Sequence, residues 1–281
     1  MRIVLVFALV GLLAGCRGSG GRSQVVAAFY PLAFAAQTVG GPGLQVRNLT
    51  PSGAEPHDIE LTARDVASVQ EARLVLYLSH GFQPALEDAV RGAKGRRIDV
   101  LQGLTLRAGV GEEAGRTDPH VWLDPILFAR IVRRIGDALD RPRAADALIA
   151  KLTALDAAYR RGLRDCAHRT FVTSHAAFGY LSARYGLHQV AITGLDPEAE
   201  PSARRLASLA ELVRRSGTGT VFFERLVSPK LAETVAREAG ARTAVLDPIE
   251  GLTPSESQSG ATYLSLMRQN LAALRSALRC R

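Results

Sequence analysis

From residue 24 onward, short apolar runs alternate with longer stretches whose apolar residues recur every three or four positions. The segments at 25–30 (an apolar run), 44–49, 74–78 and 97–100 have strand length, and the segments 31–41, from 63, and 83–93 read as helices between them. Thr62 can cap the helix that begins near Ala63, with Asp65 in its first turn, where the helix dipole favours a carboxylate. After a polar, Gly-rich stretch at 104–116 containing Glu112 and Glu113, helical periodicity returns at 126–139 and 144–164. The second of these carries Leu148, Leu152, Leu155, Tyr159 and Leu163 along one face. At ~1.5 Å per residue it is about 30 Å long. The pattern alone fits either a core helix of one lobe or a connector between two. The same grammar then repeats, with strands at 170–174, 189–193, 220–224 and 242–246. Helices are predicted at 176–185, 202–215, 228–239 (capped by Ser228) and 263–278. Such alternation predicts an α/β fold: two lobes, each a mainly parallel sheet flanked by helices, with ligands beyond the carboxyl ends of the strands.

The first residues stand apart from this pattern. Met1-Arg2 precedes an apolar run at 3–14, too short to span a bilayer as a mature helix, and Leu13-Ala14-Gly15-Cys16 follows. These residues resemble a bacterial lipobox, which implies cleavage before Cys16 and a lipid on its thiol. An ordinary secretory signal with a chance cysteine is the alternative. Residues 17–23 are rich in Gly and Ser and read as a flexible tether. The mature chain is therefore expected outside the cytoplasm, held to the membrane by its lipid only. Apolar content of 47% with 22% charged residues describes a globular chain, and 281 residues suffice for two lobes. The net charge of +8 comes from scattered arginines without interleaved aromatics, which argues against nucleic-acid binding and for solvated helix faces. Cys166 and Cys280 are either a disulfide, as an oxidising compartment favours, or two free thiols.

The candidate chemistry lies at strand ends. His120 sits in Thr117-Asp118-Pro119-His120-Val121-Trp122-Leu123-Asp124-Pro125, where two Asp-Pro steps stiffen the loop before a helix. His57 lies in the loop after the strand at 44–49, His175 ends the strand at 170–174, and Asp247 follows the strand at 242–246. Two come from each half, which places a pocket between the lobes. Three imidazoles and a carboxylate suit zinc in tetrahedral geometry, whereas manganese prefers more oxygens. His80, His168 and His188 read as surface residues. Glu55, Asp58 and Glu60 read as helix-entry and surface carboxylates, and Asp118, Asp124 and Glu224 are candidates to orient ligand imidazoles. No HExxH motif is present.

Several segments together resemble the metal-binding lipoproteins of bacterial ABC importers, in order along the whole chain from Gln24. They are Phe29-Tyr30-Pro31-Leu32, Gly53-Ala54-Glu55-Pro56-His57-Asp58, Asp118 to Pro125, Ser174-His175-Ala176-Ala177-Phe178-Gly179-Tyr180, Phe222-Phe223-Glu224, and Leu246-Asp247-Pro248 before Gly251-Leu252. The resemblance implies ligand roles for His57, His120, His175 and Asp247, and makes the helix at 144–164 the connector. It divides the chain into a signal peptide (1–15), tether (16–23), N-terminal lobe (24–141), connecting helix (142–167) and C-terminal lobe (168–281). It implies a non-enzymatic, monomeric protein that captures a divalent metal and passes it to a membrane permease. In manganese-type relatives the third ligand is usually Glu; His175 in its place favours zinc. The stretch 104–118 lacks the histidines that many zinc-type relatives carry there. The other readings are a manganese importer component, a metal-stabilised surface adhesin, and a zinc hydrolase.

Overall fold

The computed structural model describes residues 25–109 and 113–281. The expected signal peptide, Cys16, the expected tether and Glu112 lie outside the described residues.

Each half contains a four-stranded sheet in which every pairing is parallel. The first comprises β1 (Val25–Ala27), β2 (Val46–Asn48), β3 (Leu74–Tyr77) and β4 (Arg96–Asp99), in the order β2-β1-β3-β4. The second comprises β5 (Thr170–Thr173), β6 (His188–Ala191), β7 (Thr220–Phe223) and β8 (Arg242–Val245), in the equivalent order β6-β5-β7-β8. In both, the chain steps from an inner strand to one edge and then returns to the other side. Loops leaving the strands at such a reversal diverge and open a crevice at the carboxyl ends. His175 leaves β5 at this point, and Glu224 leaves β7 beside it.

Helices α1 (Tyr30–Gly40), α2 (Ala63–Glu71) and α3 (Pro84–Arg91) connect the first strands, and α4 (Pro125–Ala138) follows β4. Thr62 caps α2 in a reciprocal box with Asp65, as the sequence predicts. Next comes α5 (Pro142–Gly162), then α6 (Gly179–Tyr185), α7 (Ala203–Ser216), α8 (Lys230–Ala239), α9 (Pro254–Ser259) and α10 (Tyr263–Ala277). α5 touches both halves. Toward the first, a Cβ on Gly136 of α4 would lie 2.4 Å from that of Ala145, so only glycine permits this approach. Toward the second, the buried Tyr159 hydroxyl donates to the Met267 carbonyl of α10 at 2.7 Å. The buried core is continuous from β1 through the leucine face of α5 to α10, with a smaller cluster between β5, β7, α7 and α8.

Several boundaries differ from expectation by a few residues, three of them for clear local reasons. The strand predicted from 44 begins at Val46, because Leu44 folds back on the end of α1 and its N–H bonds the Gly41 carbonyl. α6 begins at Gly179, not 176, since the Ala176 N–H is taken by the Gly194 carbonyl. α8 takes Pro229 as its N-cap, not Ser228. Cys166 and Cys280 form a disulfide that joins the entry of β5 to the end of α10. No helix among the described residues is long and apolar enough to cross a membrane.

Candidate metal centre

His57, His120, His175 and Glu250 each bring one ligand-type atom into a group whose members all lie within 4.8 Å of one another. The Glu250 Oε1 stands 3.2 Å from His57 Nε2, 3.0 Å from His120 Nε2 and 3.6 Å from His175 Nε2. The last two ring nitrogens are 3.3 Å apart. Four donors held about 2.0–2.1 Å from a common centre in a tetrahedron stand about 3.3–3.4 Å from each other. Four of the six spacings lie close to that value, and the two from His57 to the other imidazoles are no more than 4.8 Å, so the cluster is of a size to close on a tetrahedral zinc.

The far ring nitrogen of two histidines is held by a carboxylate. His120 Nδ1 bonds Asp118 Oδ1 at 2.8 Å, and His175 Nδ1 bonds Glu224 Oε1 at 2.8 Å. A carboxylate there fixes the tautomer that leaves Nε2 as donor to a metal, and increases its basicity. Asp118 is itself held against the second half: Gly179 is small enough that only its missing Cβ, 2.7 Å from Asp118 Oδ2, lets the carboxylate fit. Asp124, the third carboxylate singled out by sequence, does something else. It caps α4 through the N–H groups of Ile126 and Leu127 and pairs with Arg184.

Asp247 is not in the cluster, which corrects the sequence expectation; Glu250, three residues on, stands in its place. The reason is an Asp-Pro turn. In all four Asp-Pro steps of the chain, the Asp Oδ1 accepts the N–H two residues ahead, the ring that short acidic side chains form at turns. The acceptors are Asp118 for His120, Asp124 for Ile126, Asp196 for Glu198 and Asp247 for Ile249, at 2.7 to 2.9 Å. The other Asp247 oxygen pairs with Arg225 at 2.8 Å, so the carboxylate is fully committed. Ile249 is completely buried with φ of 58°, a region costly for a β-branched residue. The turn holds it there: Asp247 accepts its N–H, and the Trp122 indole N–H bonds the Pro248 carbonyl at 2.7 Å. Strain of about 1–3 kcal/mol is typical for such a residue and persists where surroundings over-determine it. Its result here is that Glu250 points at the histidines. Trp122 also lies against His120, with ring centroids 5.1 Å apart and planes tilted by 49°, so one side chain contacts the first half's histidine and the backbone that leads to the second half's carboxylate.

The His57 loop is fixed from both halves. Gln83 Nε2 bonds the Pro56 carbonyl at 2.9 Å, and the Gly53 N–H bonds the Leu252 carbonyl at 2.8 Å across the cleft. Glu55, read from sequence as a surface carboxylate, is turned inward instead, its Oε2 accepting the His57 N–H at 2.8 Å. Of the remaining histidines, His80 and His188 are exposed, as expected, and His168 is half-buried away from the cluster. After β4, residues 107–109 pair antiparallel with 116–118, and this region reaches the second half. Its Glu113 accepts the Leu195 N–H at 3.3 Å, and the Arg107 N–H bonds the Tyr180 hydroxyl at 2.9 Å.

Charges in the centre are strongly displaced. Burial pulls the His120 and His175 protons off, but the adjacent carboxylates outweigh it and raise both above the ordinary imidazole range. Burial alone would raise Glu250; the three imidazoles hold it well below the usual carboxylate range. Burial, then the Glu250 charge, pushes Glu55 up to about 9. Burial raises Asp247 to about 6 despite its N–H and Arg225 partners. The cluster thus attracts positive charge, and protons and a divalent cation compete for the same Nε2 atoms.

Two parallel-sheet α/β halves with a three-imidazole, one-carboxylate cluster between them define a protein built to hold a divalent metal between two lobes. Comparison with known proteins agrees. The family model of the zinc-uptake complex component A, periplasmic, matches residues 25–277, and the chain belongs to this family. The zinc-binding lipoprotein AdcA of Streptococcus pneumoniae is 39% identical over 278 residues, covering 91% of this chain and 56% of that protein. The chain thus spans little more than half the length of that relative. The high-affinity zinc uptake system protein ZnuA of Bacillus subtilis is 36% identical over 283 residues, covering 92% and 88%. Among solved structures, the Zn(II)-bound ZnuA-like domain of the S. pneumoniae AdcA superposes with a TM-score of 0.77 at 39% identity, covering 90% of this chain and 98% of that one. The laminin-binding protein Lmb of Streptococcus agalactiae, described as having adhesin and metal-transporting activity, gives 0.83 at 32% identity, covering 90% and 98%.

Proposed function

We propose that this chain captures zinc outside the cytoplasm and delivers it to an ABC-type permease, as a monomer anchored through a lipid on Cys16. The observation that carries the reading is the convergence of three imidazole Nε2 atoms and Glu250 Oε1, at spacings that suit a tetrahedral zinc. His57, His120, His175 and Glu250 are the ligands in this reading, and zinc is the cargo. The donor set favours zinc over manganese, which takes more oxygens and a larger shell. The lobes divide as 24–141 and 168–281, with the segment 142–167, containing α5, as the connector. Burial of Glu250 and the carboxylate-held imidazoles suit tight holding of a cation.

Uptake in the native host tests it. Deleting the chain is expected to abolish accumulation of radioactive zinc at limiting concentrations, with restoration by the wild type and not by His175→Ala. Undiminished zinc uptake in the deletion strain, together with lost manganese uptake, would contradict the zinc assignment.

A further inference from the structure

Glu55 occupies an unusual position beside the cluster. Its side chain is nine-tenths buried, with Oε2 engaged by the His57 N–H. The other oxygen, Oε1, is buried with no hydrogen-bond partner and lies 3.9 Å from Nε2 of His57, the nitrogen that faces Glu250. A buried carboxyl oxygen without a hydrogen-bond partner is costly to keep. The fold nevertheless holds it there, between Gly53, which is tied across the cleft to Leu252, and Pro56, whose carbonyl is fixed by Gln83. What would satisfy Oε1 is a cation beside His57.

Accessibility says when the cation would be there. The side chains of His120, His175 and Glu250 are 0, 1 and 2% exposed, whereas His57 and Glu55 are 12 and 10% exposed. A metal arriving from solvent therefore meets the His57–Glu55 edge before the three buried donors, and leaves by the same edge. Zinc accommodates a fifth donor when ligands exchange. An oxygen waiting at this edge can hold the ion while Glu250, His120 and His175 close on it or let go.

We propose that Glu55 is an exchange ligand: with His57 it forms the entry and exit station through which zinc passes to and from the four-donor centre. The proposal rests on the zinc reading above. It separates Glu55 from the four holding ligands by its role in rates, because removing an exchange ligand slows entry and exit together.

The test is stopped-flow kinetics on the full-length protein. Zinc association is followed on the metal-free protein, and zinc release by transfer from the loaded protein to excess chromophoric chelator. Glu55→Gln keeps an acceptor for the His57 N–H but is a poor metal donor, and Glu55→Ala removes both oxygens; melting curves establish that each variant is folded. Association and release are each expected to slow by about tenfold or more in both variants, within the span seen when groups around metal ligands are removed. Rates equal to wild type overturn the proposal. So does faster release with unchanged association, which would make Glu55 a support for His57. A wild-type chain that takes up no stoichiometric zinc overturns the zinc reading itself, and is seen before any variant is made.

Discussion

Glu250→Ala is expected to weaken zinc binding by at least about a hundredfold, more than most losses around a metal ligand cause, while Asp247→Asn costs about tenfold or less. The contrast follows from what each carboxylate touches. Glu250 Oε1 faces three imidazole nitrogens, and its removal leaves a three-nitrogen site open to water. Asp247 faces the Ile249 N–H and Arg225. Asparagine still accepts from Ile249, so the strained turn survives and Glu250 stays aimed, with only the Arg225 ion pair lost. Competition against a chromophoric chelator of known zinc affinity measures both. Equal losses in the two variants, or the larger loss at Asp247, would show that the turn opens to make Asp247 a ligand.

Loss of the disulfide is the second large effect. Cys166 lies just before β5 and Cys280 just after α10, so the bond closes a loop of 114 residues around the whole second half. Cross-linking so long a loop restricts the unfolded chain, and removing such bonds costs about 2–5 kcal/mol. At about 2–4 °C per kcal/mol for a chain of this size, Cys166→Ser together with Cys280→Ser should lower the melting temperature by roughly 5–15 °C. Calorimetry of the metal-free protein gives the value, and the centre's ligands are untouched by the change. Coincident melting of oxidised and doubly substituted protein would mean that core packing alone fixes the ends of this half.

Much of this was legible in the residues because local chemistry and fold agree. The alternation of strand-length segments with three-to-four periodicity placed all eight strands; the inner strands β1, β3, β5 and β7 are mostly buried and apolar, as parallel strands covered by helices are, while the edge strands are more polar. Three of the four cluster residues were found because histidines at strand ends and on loops of both halves stand out among six in the chain, and the resemblance to metal-binding lipoproteins implied ligand roles for the same three. Glu250 was missed although it lies three residues from Asp247, between Ile249 and Gly251. Its selection depends on Ile249 adopting a left-handed conformation, and nothing in a β-branched residue announces that. A signal against Asp247 was nevertheless present: an Asp before Pro tends to spend its carboxylate on its own turn, and all four do so here. The short helix α9 had a signal too, since Thr253-Pro254-Ser255-Glu256 spells a capping box with proline at the first helical position. The inward turn of Glu55 was not legible, because its burial depends on contacts between loops from the two halves.

The central claim is that three imidazoles and Glu250 hold one zinc. X-ray absorption spectroscopy at the zinc edge, on protein shown by elemental analysis to carry one equivalent, tests it most directly. A shell of four nitrogen and oxygen neighbours at about 2.0–2.1 Å, with imidazole outer-shell scattering from three rings and its loss of one ring in His175→Ala, is the predicted result. A six-neighbour oxygen-rich shell, or an imidazole count unchanged by that substitution, would contradict it.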